Sequence, residues 1–135
     1  MSSKNKMLMR RWFEEVWNQG KAEAADSMLM ADARIYGLVD DPIGPDGFKI
    51  FHSKFRSAFP DVRIEVKDML EEGNLIAVRF TCKGTYRGTG LDVPTAKAGP
   101  VSFDGMAFAI VDGDRVTKCW NVIDQAGMLK QLGAF

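Results

Sequence analysis

The chain has 135 residues, 46% of them hydrophobic, which suits a single domain over residues 1–135 with one core and no need of disulfides or a structural metal. Eighteen Lys and Arg offset eighteen Asp and Glu, so no net field gathers phosphate backbones or anionic lipid, and neither nucleic acid nor a membrane is expected as a partner. Two cysteines, Cys82 and Cys119, with the single histidine His52, cannot assemble a Cys/His zinc cluster, and no metal site is expected.

The opening stretch MSSKNKMLMRRWFEE is charged on both sides of a short apolar run, unlike a secretory h-region or a membrane span, and predicts a cytoplasmic protein. Leu8, Met9, Trp12, Phe13, Val16 and Trp17 recur at helical steps until Gly20, which predicts a first helix with a glycine stop. Ala22, Ala25, Met28 and Leu29 continue that period through a shorter second helix, and Ala33 to Tyr36 reads as a short strand. In the irregular GLVDDPIGP stretch, Asp40 and Asp41 read as solvated turn residues, as does Asp46 just beyond it. Gly44-Pro45 then opens a third helix, whose Phe48, Phe51, Phe55 and Phe59 share one face before Pro60. His52 lies in this helix and is expected at its surface or rim.

After Pro60 the period falls to two. Val62, Ile64 and Val66 alternate with Arg63, Glu65 and Lys67; the turn EEGN leads to the strand LIAVRFTCKGTY; a Gly/Pro-punctuated loop from Gly88 to Pro100 leads to VSFDGMAFAIV. Asp112-Gly113 predicts a hairpin into RVTKCWNVID, and QAGMLKQLGAF closes the chain with a short helix. Links this short make the sheet mostly antiparallel. Both faces of Met106 to Val111 are apolar, so helices cover one face and a second copy is the simplest cover for the other, giving a homodimer through the sheet.

The segments RRWFEEVWNQG, GPDGFKIFHSKFRSAFPDVRIEVKDMLEEGN, GTYRG and CWNVIDQAGMLKQLGAF, in that order, resemble the SnoaL-like polyketide cyclase or ester cyclase family over nearly the whole chain. The resemblance implies the cone-shaped α+β fold of nuclear transport factor two, a curved antiparallel sheet wrapped over helices with a pocket in the cone. In that fold the loop before the third helix borders the pocket mouth. The resemblance also implies cofactor-free general acid-base chemistry on a small apolar or polyketide-like molecule.

Asp124 stands out from the residues alone, because in RVTKCWNVID it shares strand parity with Trp120 and Val122. An acid on an apolar face that lines a pocket is desolvated toward neutrality and can serve as general acid or base. Asp124 also directly precedes the last helix, where an aspartate is a favoured N-cap held ionised by backbone N–H groups. Both readings stand. The resemblance assigns the family's catalytic acid to Asp124, within the pattern formed by Trp120, Asp124, Gln131, Leu132 and Gly133. It places Tyr36, Tyr86 and Ala107 where several members carry histidines, so the tyrosine hydroxyls would supply the hydrogen bonds.

Arg79 shares parity with Thr81 and Lys83, which reads as a wet or subunit-facing surface; if it turns inward, it meets the pocket. In that case Asp104, Arg79 and Asp124 supply the residue types of the Asp-Arg-Asp set by which limonene epoxide hydrolases of this fold activate water. Trp12, Trp17, Phe51, Phe55, Phe59, Phe80 and Phe103 are core or cavity aromatics, which suit an apolar, ring-bearing ligand. The expected substrate-contacting set is thus Trp120, Tyr36, Tyr86, Phe80, Phe103 and Arg79 around Asp124. The alternatives to an enzyme of the cyclase type are a non-catalytic binder of the same fold and an epoxide hydrolase-like enzyme.

Overall fold

The structure, a computed structural model, describes residues 3–135. Helix α1 spans Lys4–Arg11 and is capped by Ser3, whose hydroxyl accepts from the Lys6 N–H at 3.1 Å. The helix then widens into a π-helical stretch, Trp12–Asn18, closed by the Gln19 N–H on the Glu14 carbonyl at 2.8 Å. The wider turn draws residues four and five apart toward one line, and Trp12, Phe13, Val16 and Trp17 are all buried. Gly20, at φ +73°, takes the left-handed conformation that ends the run, as the sequence predicts.

The second helix is shorter than its periodicity predicts: a single 3-10 turn, Ala22–Ala24, and helix α2, Ala25–Met28, lead directly into strand β1, Leu29–Tyr36. The early strand start has a long-range cause. Leu29 pairs with Val116, and after an irregularity Arg34 to Tyr36 pair with Lys118 to Trp120, all in parallel with strand β5, Arg115–Ile123. Cross-strand pairing outweighs a local helical period. Helix α3, Pro45–Ala58, begins with proline in its first turn, as expected. Strands β2, Arg63–Glu72, β3, Leu75–Tyr86, and β4, Gly99–Asp112, follow, and helix α4, Gln125–Gln131, ends the chain. The five strands form one sheet in the order β1-β5-β4-β3-β2, antiparallel except for the β1–β5 pair.

Two register irregularities shape the sheet. One lies between Val66 and Asp68 of β2, and another between Ile110 and Val111 of β4, opposite β5. Because of the second, Val116 and Cys119, three apart, are both buried on the helix side. The inner face carries Ile76, Val78, Phe80 and Cys82 of β3 with Val101, Phe103, Ala107 and Ala109 of β4, and the helices close over it. The outer face carries Met106, Phe108, Trp120 and Val122, which no element covers. Among the described residues no helix is long and apolar enough to cross a membrane.

His52 is not at the surface. It is 3% exposed, its Nε2 lies 2.6 Å from the Val16 carbonyl, and its ring packs against Trp17 and Phe48. A carbonyl only accepts, so Nε2 carries the proton and donates, tying α3 to the widened helix. Burial pushes the His52 pKa down, which favours the neutral ring.

Candidate functional site

The inner face of the sheet and the two long helical segments enclose a cavity of about 60 Å³. The widened helix contributes Trp12, Phe13 and Trp17; α3 contributes Phe48, Phe51 and Phe55; β3 and β4 contribute Phe80, Cys82 and Phe103. Ile35 and Leu38 come from β1 and the loop after it, and Cys119, Asn121 and Ile123 from β5. Leu38, Phe51 and Phe55, like Asn121 and Ile123, are only partly buried and mark the side on which the cavity meets solvent. The loop carrying Leu38 folds back on β1, with the Ile35 N–H on the Ile43 carbonyl at 2.8 Å and the return bond at 3.0 Å, which covers that sheet edge.

The aromatic lining follows from the sequence periods. Trp17 meets the edges of Phe48 and Phe55 at centroid distances of 5.8 and 5.6 Å, an arrangement favoured by ring quadrupoles. Phe80 lies 5.4 Å from Phe13 and reaches across β4 at Gly105, where a Cβ would stand only 2.6 Å from the Phe80 ring. Cys82 and Cys119 are both unpaired and buried, and desolvation pushes both thiols up to about 12, so they line the cavity as neutral groups. Among the described residues, no carboxyl, imidazole or ammonium lines the cavity.

The residues expected from sequence divide between two faces. Phe80 and Phe103 line the cavity. Tyr86 is buried, but it packs on Phe59 at 5.6 Å and is not part of the lining. Tyr36 and Trp120 stack on each other at 5.7 Å, with planes 10° apart, and Trp120 lies exposed in the floor of a groove on the outer face. Arg79 also faces outward, pairing with Asp68 at 2.7 Å, so the inward alternative for it is not the one observed. That ion pair is half exposed and contributes little to stability.

Of the two readings of Asp124, the helix cap is the one observed. The parity of Asp124 with Trp120 and Val122 is as the sequence indicates, but that parity belongs to the outer face, and Asp124 is exposed. Its carboxylate caps α4, accepting from the Gly127 N–H at 2.9 Å, while its own N–H donates to the Asp104 carbonyl at 2.9 Å. Asp104, Arg79 and Asp124 do share the outer groove, of about 620 Å³, with Asp104 accepting from the Thr81 hydroxyl at 2.8 Å. The groove is open to solvent.

Sequence reasoning missed Asn121. It follows the exposed Trp120, so alternation turns it inward, opposite Ala107 of β4. The available signal was the parity itself: whichever face Trp120 takes, Asn121 takes the other. Gln131 of the terminal pattern is structural. Its carboxamide accepts from the Ser102 N–H and donates to the Ser102 carbonyl, both at 2.8 Å, standing in for the strand partner that β5 no longer supplies beyond Gly105.

Solved structures similar to this chain share its fold. A SnoaL-like polyketide cyclase from Agrobacterium tumefaciens superposes with a TM-score of 0.78 at 20% identity, over 98% of this chain and 100% of that one. A protein from Acidithiobacillus ferrooxidans, provisionally described as a polyketide cyclase, gives 0.82 at 24% identity over 98% and 96%. AclR from Streptomyces galilaeus, provisionally described as a hydroxylase, gives 0.85 at 23% identity over 98% and 86%. These likenesses carry the fold alone, and their differing descriptions show why a fold does not fix an activity. No curated protein matches the chain. The family profile described as SnoaL-like polyketide cyclase matches residues 7–132, and this chain belongs to that family.

Proposed function

We propose that this protein binds a small, neutral, apolar ring-bearing molecule in the inner cavity and does not catalyse proton transfer there. The observation that carries this reading is the composition of the lining: aromatic and aliphatic side chains, two neutral thiols and one carboxamide, with no group that titrates near neutrality. General acid-base chemistry needs such a group within hydrogen-bond reach of the substrate. Asp124, the sequence's best acid, serves as a helix cap on the other side of the sheet. An intracellular location suits two unpaired thiols.

The cavity is about 60 Å³ as it stands, whereas a cavity of about 150 Å³ binds benzene. Uptake of a ring therefore requires the partly buried Leu38, Phe51 and Phe55 to move outward. A tryptophan-fluorescence titration with toluene tests the reading, since Trp12 and Trp17 line the cavity. Saturable binding, retained in Asp124→Asn, is expected; turnover of a cyclic polyketide that disappears in Asp124→Asn overturns it.

The partner for the outer face, in this reading, is a second copy. Phe108 is 52% and Val122 73% exposed, beside Met106 and Trp120. Lys118 and Asp124 lie at opposite ends of this apolar strip along β5 and its cap, so an antiparallel two-fold stacking sets cation against anion. Sedimentation of wild type and Phe108→Asp tests it: a dimer reduced to monomer by the substitution is expected, and a monomeric wild type overturns it.

A further inference from the structure

We infer that Asn121 is the specificity-determining residue of the cavity, and that its Oδ1 selects a ligand carrying one neutral hydroxyl or N–H donor on an apolar ring. This rests on the binding reading above and names the chemistry that the cavity prefers. Asn121 projects from β5 between the inward-facing Cys119 and Ile123, with only the methyl of Ala107 opposite it on β4. Its amide orientation is fixed. Nδ2 donates to the Tyr36 carbonyl at 3.1 Å and lies 3.6 Å from the Cys119 sulfur, and because a carbonyl only accepts, nitrogen and oxygen cannot exchange places.

The backbone holds this arrangement. Gly37, at φ +89°, has no side chain, and a Cβ there would lie 1.9 Å from the Asn121 carbonyl oxygen. Only glycine lets the end of β1 come this close, which keeps the Tyr36 carbonyl within reach of Nδ2. Both amide protons are therefore directed at fixed neighbours, and Oδ1 accepts no hydrogen bond among the described residues. The thiols are weak acceptors and the indoles only donate, so Oδ1 is the strong side-chain acceptor of the lining. Asn121 is part-buried and Oδ1 stays accessible, so a ligand that covers it without donating leaves the acceptor unsatisfied, whereas a phenol-type hydroxyl satisfies it. A carboxylate ligand, which only accepts, is disfavoured for the same reason.

The test compares phenol with toluene, which differ in the hydroxyl, on wild type and Asn121→Leu, with dissociation constants from NMR titration. We expect the substitution to weaken phenol about tenfold, the effect of a net hydrogen bond, and to leave toluene unchanged or tighter. Equal weakening of both probes, or no loss for phenol, overturns the role of Asn121 while leaving the binding reading in place. If wild type binds neither probe saturably, the binding reading falls and the anchor falls with it. Should Asn121→Leu not fold, the side-chain amide resonances of Asn121 in wild type decide: a shift with phenol and none with toluene is expected, and identical responses overturn the inference.

Discussion

Replacing Phe55 by alanine should widen a cavity that is too small for a ring as it stands. The volume is about 60 Å³, and a benzene-sized site needs about 150 Å³, so uptake of toluene by wild type must create about 90 Å³. At roughly 24 cal/mol per Å³, holding that space open costs about 2 kcal/mol, which lowers the apparent affinity about thirtyfold. Phe55 is a partly buried lining residue, stacked 4.9 Å from Phe59 and edge-on to Trp17 at 5.6 Å. Its removal transfers the opening cost from binding to folding. Phe55→Ala should therefore unfold more readily, by about 2–3 kcal/mol, somewhat less than a fully buried phenylalanine. It should also bind toluene 10- to 30-fold more tightly, on the order of the opening cost just worked out. Chemical denaturation measures the first effect and NMR or calorimetric titration the second. A destabilised variant that binds toluene no better than wild type refutes the reasoning, because the space Phe55 occupies would then not limit binding.

Further outcomes follow from the positions of Asp124 and His52. Asparagine caps helices about as well as aspartate, so Asp124→Asn should change stability by a few tenths of a kcal/mol, whereas Asp124→Ala should cost about 1 kcal/mol; equal losses in paired denaturation curves would show that the cap is not what the carboxylate supplies. His52 has its folded pKa below the ordinary value near 6.5, so the unfolded chain binds its proton first as pH falls. That contribution is fully present above about pH 6.5 and is lost on acidification below it toward the folded pKa. The loss is separate from the more acidic window of Asp61 and Glu65, whose hydrogen bonds to the Thr85 N–H and to Lys67 hold their carboxyls low. Denaturation at pH 7 and pH 5.5 should show a drop in wild type that His52→Gln removes; an undiminished drop in the variant places its origin elsewhere.

Much of the fold is legible in the residues, because periods of 3.6 and 2 are local signals. The phenylalanine face of α3, the Asp112-Gly113 hairpin and the mostly antiparallel order can all be read from the chain itself. The boundary between α2 and β1 is not, since it depends on pairing with β5 some ninety residues later. His52 was misplaced for a related reason. A polar residue between helical phenylalanines looks exposed until the Val16 carbonyl, freed in the widened helix, is seen to need a donor.

The site shows the limit of alternation most clearly. Parity correctly groups Trp120, Val122 and Asp124, but it cannot say which of two apolar faces lies inside, and the helices cover the other one. Phe80 and Phe103 were recoverable because large rings flank small or polar residues on their strands. Tyr36 and Trp120 lie on the outer face with Asp124, and so does Arg79, whose parity with Lys83 already reads as outward. Asn121 passed unnoticed because an amide beside a tryptophan reads as the wet side of a half-exposed strand, the reverse of its position here.

The ligand occupies either the inner cavity or the outer groove, and the choice is open to direct measurement. A crystal of wild-type protein soaked with 4-iodophenol decides it through the anomalous signal of iodine. Iodine is expected in the inner cavity between Phe80 and Phe103, with the hydroxyl toward Asn121. Iodine in the outer groove beside Trp120 and Asp124, with the inner cavity empty, contradicts the binding reading.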